Sequence, residues 1–298
     1  MLSEIDFDFW VDAVTVAIIA DSTTRRPGLA GLFLFFEGGF ALRLFKSTMA
    51  HTALGFAGLY FATQSARAEA CEPQIFQDMK FIVCTVKDKQ NLRLFWKSAD
   101  GQPYRNFSKV ADAVAGVGKT LSFAFNAGMY QVDFTPMGLY IENGQELVPP
   151  DTKTPQRVSG PIPNFYKKPN GVFYFDNDSA GIVSTDQFLK QKLRANFATQ
   201  SGPMLIIGNK LNPILIKGST DRTRRSGVGI CEDQSIRFAI SEDAVNFYDF
   251  ASLFRDELKC PNALFLDGGG GAGIYSPAMG RNDISWHGGY GPVVVFFE

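Results

Sequence analysis

The chain has 298 residues, 45% of them hydrophobic and 20% charged, the balance of a globular protein with a sizeable core. A formal net charge of −1 gives no electrostatic footprint for nucleic acid, and none is expected as a partner. With 29 glycines and 28 phenylalanines, the chain should make many tight turns around an aromatic core, which suits strands better than a helix bundle.

Residues 1–68 read as an N-terminal extension rather than part of the fold. Arg43 and Lys46 precede an apolar stretch from Met49 to Ala62, and Gln64-Ser-Ala-Arg-Ala68 offers a small-x-small cleavage site after Ala68. A signal peptide is therefore expected over about 43–68, with the true start downstream of Met1. The run is too short and too rich in Gly and Ala to span a membrane, and Glu37, Arg43 and Lys46 keep it from extending upstream. Cys71 lacks the leucine and small residues of a lipoprotein signal, so no stable membrane anchor is expected after processing. The implied location is periplasmic or secreted. Removing residues 1–68 takes away five of 29 basic and six of 30 acidic residues and leaves the signs balanced.

The four cysteines, 71, 84, 231 and 260, all lie in residues 69–298, and an even count in an exported chain reads as disulfides. Cys71 with Cys84 is the first choice, because a strand hairpin would bring them together. Cys231 and Cys260 could form a second bridge or stay buried thiols. No Cys-x-x-Cys spacing points to a metal site.

Within residues 69–298, Phe81–Val86 and Leu92–Trp96 read as strands around the polar turn 87–91. Phe107–Val117 has helical spacing through Val110, Ala111, Val114 and Val117. Leu121–Phe125 is a buried strand running into Asn126-Ala-Gly-Met-Tyr130. Gly138–Glu142 followed by Asn143-Gly144 signals a hairpin, and Gly171–Phe175 with Gly181–Val183 signals another. Thr185–Leu193 reads as a short helix. Met204–Ile207, the turn Gly208-Asn209 and Ile214–Ile216 continue the strand pattern. Gly227–Cys231 and Ile236–Ile240 flank a turn, Val245–Leu258 is the strongest helix signal, and Val293–Phe297 closes the chain as a strand. Many strands with few helices at irregular intervals imply an α+β fold, one domain of mixed, largely antiparallel sheets.

Three motifs suggest other chemistry. Ala113-Val-Ala-Gly-Val-Gly-Lys-Thr120 resembles a phosphate loop, but here a helix precedes and a strand follows, the reverse of what the mechanism needs. Asp176-Asn-Asp-Ser-Ala-Gly181 starts like a calcium loop, yet Ala180 fails a ligand position and Gln187 stands where a bidentate glutamate belongs, so a hairpin turn is expected. Ser201 could be a nucleophile only if His287, the one histidine outside the signal, served it, and no Gly-x-Ser-x-Gly elbow surrounds it.

The segment Ala263-Leu-Phe-Leu-Asp-Gly-Gly-Gly-Gly-Ala-Gly-Ile-Tyr275 carries more. A buried strand stops at one carboxylate, Asp267, followed by four glycines that leave no side chain between backbone and ligand. The plainer reading is a capped turn. Three further glycine-marked loops sit at strand ends: Asn126-Ala-Gly-Met-Tyr130, Gln200-Ser-Gly-Pro203 and Arg224-Arg-Ser-Gly-Val-Gly229. Asn126 and Gln200 suit sugar hydroxyls, and the Arg225 guanidinium suits a phosphate.

Jointly these segments resemble the phosphodiester glycosidase family. The likeness rests on Phe125-Asn-Ala-Gly-Met129, Gly138-Leu with Asn143-Gly144, Asn164-Phe165, Pro169-Asn-Gly-Val-Phe173, Gln200-Ser-Gly-Pro203, Arg225-Ser-Gly-Val-Gly229 and Leu266-Asp-Gly-Gly-Gly270, and runs from about Phe81 to the C-terminus. Family members carry a small or hydroxyl residue soon after the Asp-Gly-Gly run, where this chain has Gly271-Ala272. The resemblance implies hydrolysis of a sugar-1-phosphodiester, of the N-acetylglucosamine-1-phosphodiester kind, in an exported glycan or glycoconjugate. It implies a catalytic set of Asp267, Arg225 and Asn126, with Gln200, Ser201, Gly202, Asn170, Gly268, Gly269 and Gly270 binding a carbohydrate or sugar-phosphate substrate. Asp267 would be nucleophile or general base, and Arg225 would steady charge on the departing phosphate. No cofactor is required, although backbone carbonyls with one carboxylate could hold a Ca²⁺ ion. The alternative functions are a non-enzymatic binding module for an anionic exopolysaccharide and a serine hydrolase built on Ser201.

Overall fold

A computed structural model describes residues 71–154 and 160–298. The signal-like segment and its cleavage site after Ala68 lie outside the described residues. In chain order the strands are β1 (Cys71–Phe76), β2 (Met79–Val86) and β3 (Leu92–Phe95), followed after helix α1 (Phe107–Gly116) by β4 (Leu121–Asn126), β5 (Tyr140–Glu142) and β6 (Gln145–Val148). The pair β7 (Gly171–Phe175) and β8 (Ala180–Ser184) leads into α2 (Thr185–Lys190), β9 (Phe197–Ser201), β10 (Met204–Ile207) and β11 (Lys210–Leu211). Then come β12 (Arg225–Ile230), β13 (Ile236–Ser241), α3 (Phe247–Ser252), β14 (Asn262–Gly268), β15 (Ile274–Ser276), β16 (Arg281–Asn282) and β17 (Val293–Phe297).

The strands form three sheets, ordered β1-β2-β13-β12-β14-β10-β11, β16-β15-β4-β17-β3 and β6-β5-β9-β7-β8. The pairings are antiparallel throughout, and the fold is α+β as expected. Period-two alternation explains how the sheets share a core. Ile82, Phe238, Val228 and Leu264 of the first sheet, Phe123, Phe125, Val294 and Phe296 of the second, and Phe173, Phe175 and Phe197 of the third all enter one cluster. Phe238 is its hub, 6.1 Å from the Phe123 ring, 5.7 Å from Phe125 and 5.8 Å from Phe173.

The alternate residues face outward and are covered by helices. Phe81, Val83, Ala263 and Phe265 pack on Phe250 and Phe254 of the α3 segment, while Ala124, Val293, Val295 and Phe297 pack on Phe107, Val110 and Val114 of α1. Phe188 of α2 covers Val172 and Ala198. Strands buried on both faces read as continuous apolar runs, which is why they are legible in the sequence. Each helix starts at a side-chain cap: Asn106, Ser184 with Gln187 in a capping box, and Asn246.

Several local expectations change. The strands at 79–86 and 92–95 do not pair with each other, since β2 lies between β1 and β13 whereas β3 joins β17. Ile214–Ile216 is not a strand. It follows Pro213 into a turn, with Ile214 and Ile216 facing solvent. The 245–258 helix divides into α3 and a π-helical turn, Leu253–Glu257.

Both cysteine pairs are joined. Cys71 and Cys84 face each other across β1 and β2, and Cys231–Cys260 ties the chain after β12 to the chain before β14. A Cβ on Gly229 would come within 2.8 Å of Cys260 Sγ, so glycine is the residue that fits beneath the second bridge. Among the described residues no helix is long and apolar enough to cross a membrane.

Candidate active site

Strand β14 delivers Asp267 to the end of the seven-stranded sheet. It pairs with β12 so that Ser226 faces Asp267 and Arg225 faces Gly268, with a register shift between Ser226 and Gly227. Ser226 Oγ donates to the Asp267 carbonyl at 3.1 Å and accepts from its N–H at 3.2 Å, clamping the backbone beneath the carboxyl group. The Gly268 N–H donates to Oδ1 at 2.7 Å. Gly269, at φ +59°, lets the chain turn sharply, and Gly269–Gly271 forms a single 3-10 turn. Gly271 rests on the carboxyl group itself, since a Cβ there would overlap Oδ2. The far end of the loop is held by Asn126 of β4, whose Oδ1 accepts from Gly273 N–H at 3.0 Å and whose own N–H donates to the Gly273 carbonyl at 3.2 Å.

No ion pair reaches Asp267 among the described residues. Burial pushes its carboxyl group up to about 7, against the opposing pull of the Gly268 amide. Tyr130 stands within its electrostatic field, the phenol pushed up mainly by burial, and donates to the Gly289 carbonyl at 2.8 Å. Beside the glycine turn lies a cavity of about 320 Å³, lined by Arg224, Gly269, Gly270, Ala272, Ile284 and Trp286. The His287 ring lies over Gly270, its Nε2 3.0 Å from where a Cβ would stand.

The structure thus brings Asp267, Gly268, Gly269, Gly270 and Asn126 together. Arg225 does not join them. Its guanidinium turns to the α3 side, 3.7 Å over the Phe247 ring, donating to the Val245 and Asp221 carbonyls at 2.9 and 3.0 Å. The cation at the cavity wall is instead its neighbour Arg224, bonded to Asp283 at 2.6 Å and Glu242 at 3.4 Å.

The Gln200 side chain is fully buried and committed to this chain's own backbone. Its Oε1 accepts from Leu139 and Asp151 N–H at 2.9 Å each, and its Nε2 donates to the Asp151 carbonyl at 2.7 Å. Ser201 is equally buried, and its Oγ donates to the Leu266 carbonyl at 2.8 Å, so it braces the residue before Asp267 rather than engaging His287. Gly202 packs against Asn170, whose Nδ2 donates to the Phe165 carbonyl and whose Oδ1 accepts from Lys168 Nζ, each at 3.2 Å.

Tyr130, Ile284 and Trp286 also stand around the Asp267 turn, and the sequence pattern marks only the first of them. Tyr130 closes a loop already marked by Asn126, but Ile284 and Trp286 sit in an irregular segment that gives no periodic signal. Among the described residues no three His, Cys, Asp or Glu side chains converge on a possible metal position. Asp176 accepts from the Asp178 and Ser179 amides in the β7–β8 turn.

The fold and the carboxylate-bearing glycine turn place this chain among known proteins. Residues 119–293 match the model of the phosphodiester glycosidase family, and the chain belongs to that family. It is 34% identical over 179 residues to the uncharacterized Escherichia coli (strain K12) protein YigE, covering 60% of this chain and 67% of that one. Its fold is shared with the catalytic domain of zebrafish N-acetylglucosamine-1-phosphodiester alpha-N-acetylglucosaminidase, auto-inhibited by its pro-peptide. That likeness has a TM-score of 0.54 at 15% identity over 76% of this chain and 81% of that chain.

Proposed function

We propose that this protein hydrolyses a sugar-1-phosphodiester, with Asp267 as general base. The observation that carries this reading is the Asp267 carboxyl group, held by the Gly268 amide against Gly271 and pushed up to about 7. A base poised near neutrality can take a proton from water in the transition state and release it afterwards. Water would attack the anomeric carbon as the bond from that carbon to the phosphate oxygen breaks. The electron pair leaves on the phosphate, giving a free sugar and a phosphate monoester. A phosphate monoester departs without protonation, so one carboxylate can serve where glycosidases with poorer leaving groups use two. Arg224 lies at the cavity wall, its charge shared with Asp283 and Glu242, and among the described residues its guanidinium is the cation nearest the glycine turn that could contact the phosphate.

Family membership supports the bond type, and the name of the zebrafish relative suggests N-acetylglucosamine as the sugar. Two disulfides support an exported location, since such bonds persist in oxidising compartments. The test is incubation of the protein with N-acetylglucosamine 1-(methyl phosphate) and assay of free sugar. Turnover that survives Asp267→Asn would remove Asp267 from the chemistry, and tight binding with no product would favour a binding module instead.

A further inference from the structure

The segment between Asp283 and Gly289 is pinned at both ends and apolar in its middle. At the start, Asp283 Oδ2 accepts from Ile274 N–H at 3.2 Å, and the carboxylate pairs with Arg224 and with Arg281 at 2.6 and 3.0 Å. At the end, the Gly289 carbonyl accepts from Tyr130, and Tyr290 N–H donates to the Arg105 carbonyl at 2.7 Å. Inside, Ser285 is buried and its Oγ accepts from His287 N–H at 3.2 Å, closing a small turn. The two large apolar side chains on this arch nevertheless point away from any core: Ile284 is 82% exposed and Trp286 93% exposed.

Burying a large apolar side chain stabilises a fold by about 1.5–3 kcal/mol, so a rigidly anchored arch that leaves a tryptophan in water forgoes that gain. Scattered exposed apolar residues need no explanation, but these two line one cavity together with Gly269 and Gly270, the turn that follows Asp267. Indole is a broad, flat surface with one polar N–H, and it loses little conformational freedom when covered. The apolar face of a pyranose ring, made of C–H groups, is its natural complement, while the ring hydroxyls stay free for backbone groups of the glycine turn.

We propose that Trp286, seconded by Ile284, is the platform on which the sugar ring of the substrate stacks, and that it sets the affinity for the sugar side of the scissile bond. This rests on the reading of the protein as a sugar-1-phosphodiester hydrolase and names the part of the site that recognises the sugar. Trp286 is a binding residue here, and the proton transfer stays with Asp267.

The test uses the full chain carrying Asp267→Asn, so that the ligand is held without turnover, titrated with N-acetylglucosamine 1-(methyl phosphate). Tryptophan emission and calorimetry are followed together. Of the chain's three tryptophans, Trp96 is buried and donates to the Phe134 carbonyl and Trp10 lies outside the described residues, so the Trp286→Phe variant is what assigns an emission change to Trp286. The expected result is a saturable emission change that disappears with Trp286→Phe, and binding about tenfold weaker with Trp286→Ala while Trp286→Phe stays close to the parent. In the Asp267-intact chain, Trp286→Ala should raise KM far more than it lowers kcat. Calorimetric binding and KM unchanged by Trp286→Ala would overturn the platform and leave the proposed hydrolysis standing. Absence of both binding and turnover in the unaltered protein would instead defeat the hydrolase reading, and the platform with it.

Discussion

Gly271 lies directly against the Asp267 carboxyl group, leaving no room for a Cβ between them. The neighbouring Gly270 differs, because a Cβ there would meet only the exposed His287 ring, at 3.0 Å from Nε2. Gly271→Ala should therefore displace the carboxyl group or the turn and reduce activity by 100-fold or so, about the loss that follows removal of a positioned charge-stabilising group. Gly270→Ala requires only that an imidazole rotate, and should cost less than tenfold. Activity assays of the two variants, with melting temperatures to show that both fold, check the contrast.

The raised Asp267 carboxyl group sets the pH response. If the carboxylate is the base, the rate should climb from pH 5 and level off above about 7, and a flat profile across that range would exclude it.

Stability should run the other way. The folded protein holds the Asp267 proton more tightly than the unfolded chain does, so this group's contribution is present at low pH and is lost as pH rises through about 7. Asp267→Asn keeps an acceptor for the Gly268 amide and cannot ionise. It should gain stability over the parent at pH 8, on the order of 2 kcal/mol given that the residue is partly open to solvent, and none at pH 4. Denaturant titrations at the two pH values measure the difference.

Arg225 should behave as a structural cation. Its guanidinium satisfies the Val245 and Asp221 carbonyls and covers Phe247. Arg225→Ala should destabilise the fold by roughly 2–4 kcal/mol, because buried acceptors and packing are lost together. Rate constants measured on the folded fraction should fall less than those of Asp267→Asn. A kcat loss as large in fully folded protein would place Arg225 in the chemistry.

The bridges close loops with sequence separations of 13 and 29 residues. On loop-closure entropy alone each contributes about 3 kcal/mol, the longer loop slightly more. Cys260→Ser should lower the melting temperature more than Cys71→Ser, because Cys231–Cys260 ties together the two strands that carry the site. Thermal melts with and without reductant read this out.

What the sequence discloses follows from the range of the interactions concerned. The Asp267 turn is written in consecutive residues, and Asn143-Gly144 announces its hairpin because both take positive φ, at 52° and 77°. Strands buried on both faces, such as Phe81–Val86, read as apolar runs. The edge strand β1 does not, since Glu72, Pro73 and Gln74 interrupt any alternation. Ile214–Ile216 misleads because three apolar residues in a row look alike whether they enter a sheet or, like Ile214 and Ile216, face solvent from a turn. Arg225 points to the α3 side with Gly227 and Gly229, as alternation along β12 requires, but which face of β12 meets α3 is decided by strand pairings that no local pattern shows. Gln200 has the chemistry to bind a sugar, but the Asp151 and Leu139 backbone claims it first, and no local pattern shows that competition.

The second sheet joins β3, near the start of the described chain, to β17 at its end, and Glu298 exchanges two backbone hydrogen bonds with Thr120. Since Phe296 of β17 enters the aromatic cluster that all three sheets share, no sheet can complete its packing before the last residues are available. The shared core is therefore closed by a pairing between the two ends of the described chain. Long-range pairings of this kind carry a larger loop-closure cost than local ones and favour slower folding.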